Sequence, residues 1–122
     1  MASTSTAPTP AGHGSVGCGA RFGAKPGAVE TGGGSAVRNR AQLLFNQDIR
    51  LSLVRPTAAD AYFYRNGRAD EVVYVTRGAG VLESQFGNVV YREGDYLVIP
   101  RGIIHRLVPD AAEQIYLVME SR

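Results

Sequence analysis

The 122-residue chain has one cysteine, two histidines and no tryptophan. A lone Cys18 excludes an intramolecular disulfide, so a reducing, cytoplasmic setting is the expectation. His13 lies in the N-terminal tail with Cys18, which leaves His105 as the one imidazole in the part expected to fold. No Ser–His–Asp or Cys–His arrangement can be assembled from that inventory. No apolar run approaches the roughly 18 residues that a membrane span needs. The start of the chain also lacks the short apolar core of a secretory signal. Net charge is +2, with both signs interspersed, unlike the one-sided basic face of a nucleic-acid binder. Neither nucleic acid nor membrane is therefore an expected partner.

What is present divides into two parts. Residues 1–36 are about one-third glycine plus proline and carry almost no branched apolar side chains. Such a stretch cannot bury enough surface to offset its ordering entropy, so a disordered leader is expected, with Gly32, Gly33 and Gly34 as a flexible joint. From Val37 onward, short runs rich in Val, Ile, Leu, Tyr and Phe recur, each closed by turn residues. Their length and spacing predict an all-β domain over 37–122, a small antiparallel sandwich or barrel. Asn66-Gly67 and Gly87-Asn88 read as turns. Pro56 followed by Thr57-Ala-Ala-Asp60 could cap one short helical turn. Gly78-Ala-Gly80 has no helix after it and reads as a turn, not a phosphate loop. The tyrosines, at strand spacing, read as core and interface packing before an aromatic ligand pocket.

Two segments carry chemistry. In Asp70-Glu71-Val-Val-Tyr-Val-Thr-Arg-Gly78, strand alternation puts Glu71, Val73 and Val75 on one face. If the valines point inward, so does Glu71, and a buried carboxylate needs a partner or a metal to stay ionised. In GDYLVIPRGIIHRL, Gly94-Asp95 forms a turn, Pro100 ends a ladder and Gly102 permits a bend. His105 then opens a return strand, sharing a face with Ile103 and Leu107. An inward His105 and an inward Glu71 can meet inside a barrel. Arg101 reads as a rim residue.

Glu71, six residues, Gly78 resembles the second half of the first cupin motif. Gly94, five residues, Pro100, one residue, Gly102, two residues, His105 resembles most of the second motif. In that superfamily three histidines and a glutamate bind a divalent metal inside a small jelly-roll barrel. Glu71 and His105 fall on two of those metal-ligand positions. The two histidines expected just before Glu71 are absent; Tyr64-Arg65-Asn66-Gly67 stands there. Iron and zinc sites that do catalysis take three or more protein ligands. The set is therefore incomplete. Asp70, the nearest extra oxygen donor, should face away from Glu71.

The tokens FYRN, DEVVYV, GVLES, YREGDYLVIPRG and YLVMESR, in that order and spacing, resemble the N-terminal half of bacterial homogentisate 1,2-dioxygenases. The likeness covers about two-thirds of the chain, from near Arg40 to the end. It implies a relation to bicupin enzymes that open the ring of homogentisate with O2 and Fe(II), in tyrosine and phenylalanine breakdown. Their iron ligands belong to the C-terminal half, and the N-terminal half is a degenerate cupin that packs on it. The resemblance therefore implies no catalytic residue and no cofactor in this chain alone. Fe(II) would sit in a C-terminal half, and the expected partner is such a half or a second copy. A chain ending directly after a strand suggests a partial form. Two other readings stay open: a stand-alone metal-binding cupin enzyme using His105, Glu71 and a third group, and a non-enzymatic binding or oligomerisation module.

Overall fold

The computed structural model describes residues 32–122. The leader expected over residues 1–31, with Cys18 and His13, lies outside the described residues. The rest is all β, with no helix among the described residues. Nine strands form: β1 (Ala41–Phe45), β2 (Ile49–Val54), β3 (Tyr64–Arg65), β4 (Asp70–Arg77), β5 (Gly80–Ser84), β6 (Gly87–Tyr91), β7 (Tyr96–Ile99), β8 (Ile104–Pro109) and β9 (Ile115–Ser121). They build two antiparallel sheets, ordered β1-β2-β9-β4-β7 and β3-β8-β5-β6. This is the antiparallel architecture that the short, turn-bounded runs predict, in the jelly-roll form that the cupin resemblance implies.

The core follows from alternation. Val73 and Val75 on β4, Tyr116 and Val118 on β9, and Leu97 and Ile99 on β7 point inward from one sheet. Leu82, Tyr91 and Leu107 meet them from the other. The phenols of Tyr91 and Tyr116 touch at 2.7 Å, and Tyr116 donates on to Gln114 Oε1 at 2.8 Å. Burial pushes the Tyr91 phenol up to about 12, despite the opposing hydrogen bond with Tyr116. Both rings thus stay neutral polar anchors in an apolar interior.

The structure departs from the sequence reading in four places. The first is the boundary at residue 37. The Gly34 amide donates to Thr57 Oγ1 at 2.7 Å, and the Gly34 carbonyl accepts from the Thr57 amide at 3.0 Å. Ala36 is 1% exposed and belongs to the core. The glycine run fastens the chain there, where a free joint was expected, and the domain begins before Val37. The second concerns Asp60. It caps no helix; its carboxylate accepts from the Leu107 amide at 3.0 Å and from the Ser35 hydroxyl at 2.5 Å. The third is the apolar run LLFNQDIRLSLVRP (residues 43–56), one of the short runs closed by a turn residue, which folds back on itself as two strands. Asn46 Oδ1 accepts from the Asp48 and Ile49 amides at 2.8 and 2.7 Å, an Asx turn that separates β1 from β2. The fourth is the β5–β6 hairpin, which turns at Gln85-Phe86, two residues before the Gly87-Asn88 pair. Ser84 pairs with Gly87, and Gly87 takes φ +120° at the end of the turn. Asn66-Gly67, by contrast, turns as expected, with Asn66 Oδ1 accepting from the Arg68 and Ala69 amides.

Candidate functional site

Glu71 and His105 both point inward, 0% and 1% exposed. They come from different sheets: Glu71 from β4, and His105 from β8, where it pairs with Tyr64 of β3. The His105 Nδ1–H donates to the Ile103 carbonyl at 3.1 Å, which fixes the ring. That leaves Nε2 aimed at Glu71 Oε1 across 3.9 Å, with no hydrogen-bond partner among the described residues. The expected meeting inside the barrel therefore occurs, at a separation too long for a hydrogen bond.

What fills the space around Glu71 was not legible in the motifs. Arg40, just before β1, reaches in and places Nη1 3.0 Å from Glu71 Oε2. The same nitrogen lies 3.4 Å from Glu120 Oε2. Glu120 is the register neighbour of Glu71 across the β4–β9 ladder. Two carboxylates side by side on one face repel each other unless a cation sits between them. Arg40 supplies that cation. Its own position is set by the segment ahead of the barrel, because its Nε–H donates to the Ala36 carbonyl at 3.0 Å. Asn66 completes the bridge, its Nδ2 donating to Glu71 Oε2 at 3.0 Å and to Glu120 Oε1 at 3.2 Å. The Tyr64 hydroxyl stands 3.4 Å from Glu71 Oε2, with its ring edge-on to His105. Tyr64 and Asn66 thus occupy the stretch where the superfamily's first two histidines are missing, and both give hydrogen bonds to the carboxylate.

These contacts decide the charge states. Burial alone would raise the Glu71 carboxyl. The Arg40 charge and hydrogen bond, the Asn66 amide and the proximity of His105 outweigh it and hold the group below the ordinary carboxylate range. Burial, reinforced by Glu71, pushes the Tyr64 phenol up to about 12. The centre is therefore a neutral phenol, an ionised carboxylate and a fixed guanidinium. Asp70, as expected, faces the other way, held by the Arg101 amide at 2.8 Å and its guanidinium at 3.2 Å.

The donor set does not fit a divalent metal. No group of three or more His, Cys, Asp or Glu side chains converges among the described residues. Both Glu71 oxygens face Arg40, at 3.0 and 3.5 Å, so a metal there would meet a fixed positive charge. Next to this centre the barrel opens into a cleft of about 240 Å³, lined by Tyr64, Asn66, Glu120, Arg50 and Arg68 among others. Arg50 reaches Glu120 only at 3.8 Å, and its buried Nε has no hydrogen-bond partner among the described residues. The mouth therefore presents a partly exposed guanidinium, Arg50, beside a phenol and an amide. That arrangement can receive a small ligand bearing a carboxylate or hydroxyls.

The inward alternation of Tyr116, Val118 and Glu120 could have flagged Glu120 from the sequence. Nothing in the local pattern marks Arg40, which lies 31 residues from Glu71 and outside any strand.

Residues 52–119 match the AraC-like ligand binding domain family. Over 81 residues the chain is 36% identical to a protein from Saccharolobus solfataricus that is a dioxygenase by name. That stretch is 66% of this chain and 21% of the relative, so the chain spans about a fifth of the relative's length. Among solved structures, an RmlC-like cupin from Shewanella frigidimarina superposes with a TM-score of 0.64 at 22% identity, covering 78% of this chain and 85% of that one. KdgF from a Halomonas species gives 0.61 at 21% identity, over 68% and 78%. At such identities the likeness shows a shared cupin fold.

Proposed function

The chain belongs to the AraC-like ligand binding domain family, and on that premise we propose that it is a small-molecule-binding cupin domain with no metal of its own. Within this reading it corresponds to the non-catalytic half of a homogentisate 1,2-dioxygenase-like protein. The observation that carries the reading is the Arg40–Glu71 ion pair at 3.0 Å. A guanidinium takes the role of counter-ion to the carboxylate that would otherwise ligate a metal. The order of FYRN, DEVVYV, YREGDYLVIPRG and YLVMESR along the chain supports the finer relation, as does a relative that is a dioxygenase by name. Iron and oxygen chemistry would then reside in a second cupin half. This domain would contribute the packing surface and the cationic mouth, where Arg50 and Arg68 suit the carboxylate of a small aromatic acid. A cytoplasmic location completes the reading and rests on the single cysteine.

Oxygen uptake tests it. The purified chain, supplied with Fe(II) and homogentisate, is expected to consume no oxygen above the rate of free iron. Homogentisate-dependent uptake that disappears in His105→Ala would make the chain itself a metal enzyme and overturn the proposal.

A further inference from the structure

The register of the five-stranded sheet sets Phe45, Arg50 and Glu120 side by side in one row across β1, β2 and β9. Register partners share a face, and this row lines the cleft at the barrel mouth. Tyr64 lines it from the other sheet. The two charged members of the row are neighbours that do not bond. Arg50 Nη1 stops 3.8 Å from Glu120 Oε1, with the side chains 42% and 14% exposed, beyond hydrogen-bond reach. A partly exposed pair at that distance holds itself together weakly. Glu120 is lightly used on its other side too. Its Oε1 accepts from Asn66 Nδ2 at 3.2 Å, and its Oε2 accepts one long bond from Arg40 at 3.4 Å. A carboxylate can accept about four hydrogen bonds. Glu71 is better served, taking Arg40, Asn66 and Tyr64. Arg68, also in the cleft, is exposed; its amide goes to Asn66, and its guanidinium pairs with no carboxylate among the described residues. The cleft therefore presents both signs of charge, Arg50, Arg68 and Arg122 with Asp48 and Glu120.

We propose that the ligand of this cleft is an aromatic α-amino acid. The proposal rests on the ligand-binding reading of the mouth given above, and narrows its acid to one that also carries an ammonium group. A carboxylate alone would answer Arg50 and Arg68 but would also face Glu120 and Asp48. An amine alone has the converse fault. An α-amino acid carries both charges on one carbon. Its carboxylate enters beside Arg50 and Arg68, and its ammonium donates to the unfilled acceptor sites of Glu120. The ligand then bridges the gap that Arg50 and Glu120 leave between them. Its ring lies on the side of the cleft that Phe45 and Tyr64 line. Size agrees: a cleft of about 240 Å³ lies below the roughly 300–1,000 Å³ of drug-sized sites and suits an amino acid. The expected dissociation constant is about 0.1–1 mM, in keeping with so small a ligand.

Titration calorimetry on the 122-residue chain at neutral pH tests this. The probes are L-phenylalanine, phenylacetate, which lacks the ammonium, and 2-phenylethylamine, which lacks the carboxylate. L-phenylalanine should bind about tenfold or more tightly than either of the others. Glu120→Gln should bring its affinity down to that of phenylacetate, and Arg50→Gln down to that of the amine. Neither should lower the thermal melt, because Arg50 is partly exposed and Glu120→Gln leaves Arg40 paired with Glu71. Phenylacetate binding as tightly as L-phenylalanine would overturn the proposal and leave the carboxylate reading of the mouth standing. The amine binding as tightly would overturn both, as would no binding by any of the probes. L-phenylalanine binding that both variants leave intact would lie outside this cleft and overturn the proposal.

Discussion

Arg40→Met is expected to destabilise the domain by about 3–5 kcal/mol at pH 7, the cost of leaving a buried carboxylate without its cation. Small domains hold about 5–15 kcal/mol in total, so the variant would stand near the edge of unfolding. The reason lies in what Arg40 holds together. Glu71 is 0% exposed, Glu120 stands beside it in register, and Arg40 Nη1 touches both. Without the guanidinium, two adjacent acids remain, and Glu71 lies in an interior that cannot solvate it.

The effect has a signature in pH. In the wild-type chain the folded Glu71 sits below its unfolded value. Its contribution is therefore fully present above about pH 4.3 and is lost as pH falls through the lower, folded value. In Arg40→Met the sign reverses. Burial now dominates, the folded carboxyl rises above its unfolded value, and stability falls as pH climbs above about 4.3. Urea unfolding at pH 5 and pH 7 reads the variant's trend, and a series carried down to about pH 3 reads the wild-type one. Arg40→Met should be more stable at pH 5 than at pH 7 relative to wild type, and adding Glu71→Gln should recover much of the loss at pH 7. An Arg40→Met chain with unchanged stability across that range would show that the ion pair holds nothing.

Gly80→Ala is expected to cost about 3 kcal/mol, at the upper end for forcing one extra methyl into a packed interior. The backbone angles of Gly80 are not the reason; the space is. Gly80 pairs with Tyr91 on one side and Pro109 on the other. A methyl there would run into the Val108 carbonyl oxygen and lie 2.8 Å from Pro109 Cα and 2.6 Å from the Tyr91 hydroxyl. The first two are backbone atoms that cannot swing away. Moving Tyr91 instead would break its 2.7 Å buried contact with Tyr116. The loss should appear as a lower urea midpoint. Gly87→Ala, by contrast, meets nothing within 4 Å and carries only the strain of its positive φ, so it should cost less than Gly80→Ala.

Particular residues show how far the sequence could be read. Alternation in Glu71-Val-Val-Tyr-Val placed Glu71 indoors, and the Pro100, Gly102, His105 spacing placed the imidazole opposite it. Both are properties of single strands, where a period of two leaves no other face available. Tyr64-Arg-Asn-Gly was legible as a gap in a ligand set, but not as the hydrogen-bond donors that Tyr64 and Asn66 turn out to be. Arg40 was invisible because its role is made by tertiary approach. It sits outside any strand, positioned by the Ala36 carbonyl in a stretch whose composition suggested a loose joint. Glycine and serine there looked like disorder because composition counts apolar surface and cannot count the bonds from Gly34 to Thr57 and from Ser35 to Asp60. The β5–β6 turn was misplaced by two residues because Gly87 serves the end of the turn, not its centre.

Metal content bears on the central claim most directly. The chain, prepared without a metal-binding tag and exposed to Fe(II), Mn(II) and Zn(II) before desalting, should retain well under one equivalent of each. His105→Ala should retain the same. About one equivalent of any of these ions in the wild-type chain, lost in both His105→Ala and Glu71→Gln, would contradict the assignment of Arg40 as the resident cation of the barrel.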